Sequence, residues 1–141
     1  MGIKGLLPFV SEYARKIRLE DLSGKVYGID VFGWLYKGTY SCAYELEIGQ
    51  PTTQHIEYVE RRLKQLITIQ IKPVLVFDGI TPNLKLPVIP RRRERRSKNR
   101  DNAFKMFEEG NSRKGAALMK SAISIDYKIF IELVKVCVEK G

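Results

Sequence analysis

Val26-Tyr27-Gly28-Ile29-Asp30 is a short apolar run that stops on an aspartate, and Val74-Leu75-Val76-Phe77-Asp78 repeats the pattern further along the chain. Each run has the length and composition of a buried strand of a parallel sheet. The segment between them carries helical periodicity. The order strand, helices, strand predicts a right-handed, parallel crossover. A carboxylate at the C-terminal end of such a strand faces the crevice where open α/β sheets bind ligands. Neighbouring strands lie about 4.8 Å apart. Asp30 and Asp78 would then both reach one divalent cation, and like charges that close need a cation between them. Taken singly, each aspartate reads more simply as a cap on the loop or helix after it. Two in one setting favour the metal reading.

The basic tract Arg91–Arg100 strengthens it. This stretch holds seven cations and one anion, so it supplies +6 of the formal +9 charge. Charge concentrated in this way is the footprint of a polyanion, because each phosphate neutralised releases condensed counterions. A nuclear-import signal, an acidic-membrane patch and a solvated helix face are the competing readings. The nearby pair of aspartates favours phosphate handling.

A chain of 141 residues suits one domain or a piece of a larger one, and 44% hydrophobic residues suffice for a core. Cys42 and Cys137 both sit in apolar periodic stretches and read as core residues of a protein in a reducing compartment. The apolar start, Ile3 to Leu7, is too short for a signal peptide. No segment approaches a membrane-spanning length, so no membrane partner is expected. His55 lies in a helical pattern and is assigned no chemistry.

Leu6, Val10, Tyr13 and Ile17 recur at helical spacing and predict a short amphipathic helix. Ser23-Gly24 turns the chain into the first strand. One helix is expected from Phe32 to Glu47, stopped by Gly49-Gln50-Pro51. Thr52 or Thr53 can cap the next helix, which buries Ile56, Val59, Leu63, Leu66 and Ile67. From Ile80 to about Gly110 the apolar periodicity fades, and Pro82, Pro87 and Pro90 punctuate a segment expected to be mobile. A helical pair should come next, from about Arg113 to Ser121 and then through Ile129, Phe130, Leu133, Val134 and Cys137. Asp126 would stand at the start of the second.

Met1-Gly2-Ile3-Lys4-Gly5-Leu6-Leu7, the Gly28-Ile29-Asp30 strand end, Trp34-Leu35-Tyr36-Lys37-Gly38 and Lys72-Pro73-Val74-Leu75-Val76-Phe77-Asp78-Gly79 resemble the N-terminal region of the structure-specific 5′ nucleases, the flap endonuclease and XPG family. Ser41-Cys42-Ala43-Tyr44-Glu45-Leu46 and Arg92-Arg93-Glu94-Arg95-Arg96 are most similar to its exonuclease 1 branch. The resemblance implies an α/β, parallel-sheet, PIN-like nuclease fold, present here as its N-terminal half. Residues 1–79 would form a metal-bearing core, 80–110 a basic mobile gateway, and 111–141 a helical return to the core. It implies a metal-dependent phosphodiesterase, a 5′-to-3′ DNA exonuclease or 5′-flap endonuclease of DNA repair. Two magnesium ions, or manganese in their place, would serve it. The partners implied are DNA with 5′ ends, flaps or gaps, and repair proteins held by regions absent here. The location implied is the nucleus.

By matched position, Asp30 and Asp78 would be metal ligands, and Lys85 and Arg92 the cationic pair reaching the scissile phosphate. Gly2 would lie near the DNA. Phe32 would stack on a base, and Tyr36, where the branch usually has a histidine, would stand in the wedge that splits the duplex; the rival reading of both rings is simple packing on a helix. Arg93, Arg95 and Arg96 would be further phosphate contacts. Two departures stand out. Pro87 and Pro90 fall where the family has a helical part of its gateway, so a broken or shifted gateway is expected. The family's remaining metal carboxylates, from a later segment, have no counterpart here, so the chain alone is expected to have little activity. The rival readings are a non-catalytic DNA-binding fragment using the Arg91–Arg100 tract, and a fragment that docks an acidic protein.

Overall fold

The computed structural model describes residues 3–79 and 87–139, and Gly2, Pro82 and Lys85 lie outside the described residues. The elements run α1 (Leu6–Ser11), a 3-10 turn (Leu19–Leu22), β1 (Val26–Asp30), α2 (Val31–Thr39), α3 (Ala43–Glu47), α4 (Gln54–Thr68), β2 (Lys72–Val76), α5 (Val88–Glu108), α6 (Ser112–Ala122) and α7 (Tyr127–Glu139).

β1 and β2 pair in parallel, with Val26 opposite Lys72 and Asp30 opposite Val76. The parallel pairing across the crossover through α2, α3 and α4 is as expected. β2 starts earlier than the apolar run suggests, and Asp78 lies two residues beyond its end. Pro73 is tolerated because the Lys72 N–H, one residue before, points at β1 and donates to the Lys25 carbonyl at 2.9 Å. The proline nitrogen therefore faces the unpaired edge. The Gly24 N–H closes the sheet's entry on the Gln70 carbonyl at 2.9 Å. Gly24 sits at φ +75°, where a side chain would be strained.

Burial along each strand alternates. Tyr27, Ile29, Pro73 and Leu75 are half-buried against helices. Val26, Val74 and Val76 keep 61%, 47% and 52% of their surface. The two runs read as buried strands, but among the described residues only one face of the sheet is covered.

The covered face packs on a core built from Val31 and Leu35 of α2, Ile56 and Val59 of α4, and Ile129 and Leu133 of α7. Fully burying each such side chain is worth about 1.5–3 kcal/mol. A second core joins Ala43 of α3, Ala103 of α5, and Met119 and Ala122 of α6. Leu46 packs against both.

The single helix expected over Phe32–Glu47 is two helices. The Thr39 hydroxyl donates to the Tyr36 carbonyl (2.8 Å) and the Ser41 hydroxyl to the Gly38 carbonyl (3.1 Å). Such side-chain bonds compete with the helical ladder and let it break. Gly38 allows α2 to meet α4, since a Cβ there would lie 2.6 Å from the His55 carbonyl oxygen. Thr53 stands at the N-cap of α4 but makes no side-chain cap bond, because its hydroxyl donates to the Glu57 carboxylate at 2.6 Å; the Thr52 hydroxyl accepts the Gln54 N–H at 3.5 Å. Ile56, Val59 and Leu66 are buried and Leu63 is half-buried, but Ile67 is exposed.

The prolines begin α5 instead of breaking it. Pro87 stands at its N-cap and Pro90 in its first turn, where no intrahelical N–H bond is lost. The basic tract is thus the first half of a 21-residue helix. α6 and α7 lie where expected, and Asp126 accepts from the Ile129 N–H at 2.9 Å. α1 is shorter than predicted, stops before Tyr13 and is exposed throughout. No helix among the described residues is long and apolar enough to cross a membrane.

Candidate metal and nucleic-acid site

Asp30 ends β1 and caps α2, with its Oδ1 accepting the Phe32 N–H at 3.1 Å. Asp30 therefore does what a lone capping aspartate would do, and it does so at the C-terminal edge of the sheet. Asp78 comes after β2 at the same edge. Val76, the register partner of Asp30, is two residues before Asp78, so an extended chain puts all three side chains on one side. If the chain ran on from Val76 as regular strand, spacing and rise would put the two aspartate Cα atoms about 8 Å apart. Both residues are exposed.

The donor set is two hard carboxylates, which suits magnesium or manganese better than a softer metal. Magnesium keeps several waters and commonly takes one or two carboxylates together with substrate phosphate. In donor chemistry alone, the pair would suit one such ion together with substrate phosphate. No group of three or more His, Cys, Asp or Glu side chains converges among the described residues. A second ion finds no ligand set there.

Aromatic rings stand beside both acids. Phe32, next to Asp30 along α2, meets Phe77 edge to face at 6.4 Å and lies parallel to Phe130 at 6.4 Å. Phe77 in turn meets Phe130 at 5.1 Å. Phe32 is half-buried and packs on the first core.

A helix connects the acids to the basic tract. Tyr36 lies six residues along α2 from Asp30, about 9 Å on the helical rise. There Tyr36 and Tyr40 line an open recess of about 700 Å³ with Arg92, Arg95 and Arg96 of α5 and Lys120 of α6. Arg92, Arg95 and Arg96 fall at i, i+3 and i+4, which is one helix face. Of the residues singled out in the sequence, Tyr36, Arg92, Arg95 and Arg96 are thus brought together. Arg93 points elsewhere, into a second recess with Glu47, Arg96, Arg100 and Asp126. In that recess Arg100 is bound to Glu47 at 3.1 Å. Tyr40 and Lys120 were not foreseen. Tyr40 could have been found from its four-residue spacing to Tyr36. A lysine in the last turn of a helix gives no such signal.

A buried polar group lies behind α2. His55 is fully buried, with Nδ1 3.9 Å from the Cys42 Sγ and Nε2 3.8 Å from a Glu132 carboxylate oxygen. Its Nε2 makes no hydrogen bond. Burial lowers the imidazole below its ordinary value, and the Glu132 charge opposes that shift. Burial likewise pushes the Cys42 and Cys137 thiols up, which keeps them protonated and weakly nucleophilic.

The profile of the XPG N-terminal domain matches residues 1–99. Exonuclease 1 of Xenopus laevis is 31% identical over 141 residues, all of this chain and 19% of that protein. Exonuclease 1 of Oryza sativa is 38% identical over 136 residues, 96% of this chain and 16% of that protein. Exodeoxyribonuclease 1 of Saccharomyces cerevisiae is 32% identical over 125 residues, 89% of this chain and 18% of that protein. The chain thus spans less than a fifth of the length of these relatives. The two-stranded parallel sheet, its helical cover and these matches carry one conclusion: the chain belongs to the family of the XPG N-terminal domain.

Proposed function

We propose that this chain is the DNA-gripping, metal-bearing N-terminal portion of a 5′-to-3′ exonuclease or 5′-flap endonuclease of DNA repair, working in the nucleus. The single observation that carries the reading is the α2 helix. It holds Asp30 at one end and, about 9 Å along, Tyr36 in a recess with three arginines. Asp30 and Asp78 would hold a divalent ion, magnesium or manganese, which supplies Lewis-acid charge stabilisation at a phosphoryl group when bound. The chain's own residues do the rest. Arg92, Arg95 and Arg96 neutralise and orient phosphates through planar, paired N–H donors. Tyr36 and Phe32 offer π faces that take any base, so binding depends on DNA shape and ignores sequence. Lys85 and Gly2 would join this surface by family likeness. Repair proteins would be engaged elsewhere in a longer protein.

Duplex DNA titrated with the chain at several salt concentrations tests the binding half. The expected outcome is a log–log salt dependence whose slope loses about one unit in Arg92→Gln and again in Arg96→Gln. Salt-independent binding would reject the reading. The catalytic half is tested on a 5′-tailed duplex with magnesium, in a protein of its relatives' length. Asp78→Ala should abolish cleavage there, and equal cleavage would remove Asp78 from the site. The non-catalytic fragment remains a second reading because no group of three or more His, Cys, Asp or Glu side chains that could hold a metal converges among the described residues.

A further inference from the structure

We propose that Ser97 is a phosphorylation site: a serine kinase that reads basic residues transfers a phosphoryl group to its hydroxyl, and the phosphate, held by the arginines around it, weakens the chain's grip on DNA. The inference rests on the DNA-gripping reading and names a modification that regulates that surface.

The serine itself is the first observation. Ser97 stands in the basic half of α5, with Arg95 and Arg96 before it and Lys98 and Arg100 after it. Cations on both sides of a serine are what an acidic kinase cleft recognises. Helical hydroxyls often tie up their proton, as Thr68 does on the Lys64 carbonyl (2.8 Å) and Ser121 on the Ala117 carbonyl (3.4 Å). The Ser97 hydroxyl donates to no carbonyl among the described residues, and its oxygen lies 3.5 Å from Arg100 Nη2. A helical serine must also open to enter a kinase cleft. No residue from 91 to 102 is buried, and the core anchor of α5 begins at Ala103. A segment with so few buried contacts opens locally while the rest stays folded.

The surroundings are the second observation. Ser97 lines the recess between α3, α5 and the start of α7, together with Arg93, Arg100, Glu47 and Asp126. Arg93 and Arg100 stand at i−4 and i+3 from Ser97, its neighbours along one helix face. The acids at similar spacing are engaged: Lys98 holds Glu94 at 2.7 Å, and Asp101 lies 3.6 Å from Arg100. Asp126 accepts the Ile129 N–H at 2.9 Å. In the transfer, the serine oxygen bonds to the γ-phosphorus of a nucleoside triphosphate. The bond from that phosphorus to the β-bridging oxygen breaks, the nucleoside diphosphate leaves, and the serine proton passes to a base of the kinase. The product carries about −1.5 to −2 at neutral pH and three acceptor oxygens. It competes with Glu47 for Arg100, now held at 3.1 Å, and engages Arg93 as well. About two positive charges of the tract are then lost to DNA.

The test uses the full chain in two steps. Protein kinase C with ATP labelled at its γ-phosphate should label Ser97, as located by mass spectrometry, and the label at that position should be absent from Ser97→Ala. The chain carrying phosphoserine at position 97 is then titrated with duplex DNA by fluorescence anisotropy, in EDTA and at several salt concentrations. Its affinity should fall about tenfold at moderate salt, and its log–log salt slope should be shallower by about one to two units. Ser97→Asn, which changes the side chain without adding charge, should bind as the unmodified chain does. No label at Ser97, unchanged DNA affinity of the phosphorylated chain, or an equal loss in Ser97→Asn overturns the inference alone. Failure of the unmodified chain to bind DNA overturns the proposed function with it.

Discussion

His55 shows how a single side chain can carry a pH response. It is fully buried, and the groups that face it are the Cys42 thiol, behind α2, and the Glu132 carboxylate of α7. Burial depresses its folded pKa below the ordinary 6.5, so below that pH the unfolded chain takes up a proton that the folded chain resists. The unfolded state then binds more protons, and stability falls as pH drops. The contribution is complete above about 6.5 and is lost on acidification towards the folded value. The denaturation midpoint should therefore fall between pH 7 and pH 5.5. His55→Gln should flatten that dependence, and an unchanged slope in this variant would show that another group sets it. The histidine could be placed on a helix from spacing alone. Its burial could not be foreseen, because it depends on Gly38 letting α4 approach α2 to 2.6 Å of an added Cβ.

The elements differ in how clearly the chain announces them. The two strands were legible because short runs rich in β-branched and aromatic residues favour a pleated, half-buried surface. The α4 helix was legible from apolar positions three and four apart. The break between α2 and α3 was hidden, since it comes from hydroxyls of Thr39 and Ser41 bonding to carbonyls one turn back. The largest miss is α5. Most of its first half is charged and gives no apolar period, and its prolines suggested interruption. Arg, Lys and Glu are nevertheless good helix formers, and a proline costs nothing in the first turn. The second half anchors the helix through Ala103, Phe104 and Phe107 in the core shared with α6. The position of a proline is thus what matters. Asn99→Pro should cost about 3 kcal/mol and lower helicity, whereas Pro90→Ala should change little. Far-UV circular dichroism with denaturant titration reads both, and similar losses in the two variants would contradict the assignment. The arginine spacing of the recess was readable in the same tract. Its Lys120 wall was not, because α6 meets α5 only in the folded chain.

In the molecule as a whole, α2, α4 and α7 build the core against one face of the sheet, and Asp30, Phe32 and Tyr36 follow one another along α2 towards the basic recess. The opposite face presents Val26, Val74 and Val76. Among the described residues this face is bare, which is uncommon for a parallel sheet, and exposed apolar patches of this kind are sites of further packing or of aggregation. Asp30 ends β1 and Asp78 follows the C-terminal edge of β2, and the proposed function requires that they grip one divalent ion there. Paramagnetic line broadening by manganese, monitored on the backbone amides of the chain, tests this without any need for cleavage. Broadening should centre on residues 30–32 and 77–79 and should disappear in the Asp30→Asn, Asp78→Asn double variant. Broadening centred elsewhere, or persisting undiminished in that variant, would contradict the account.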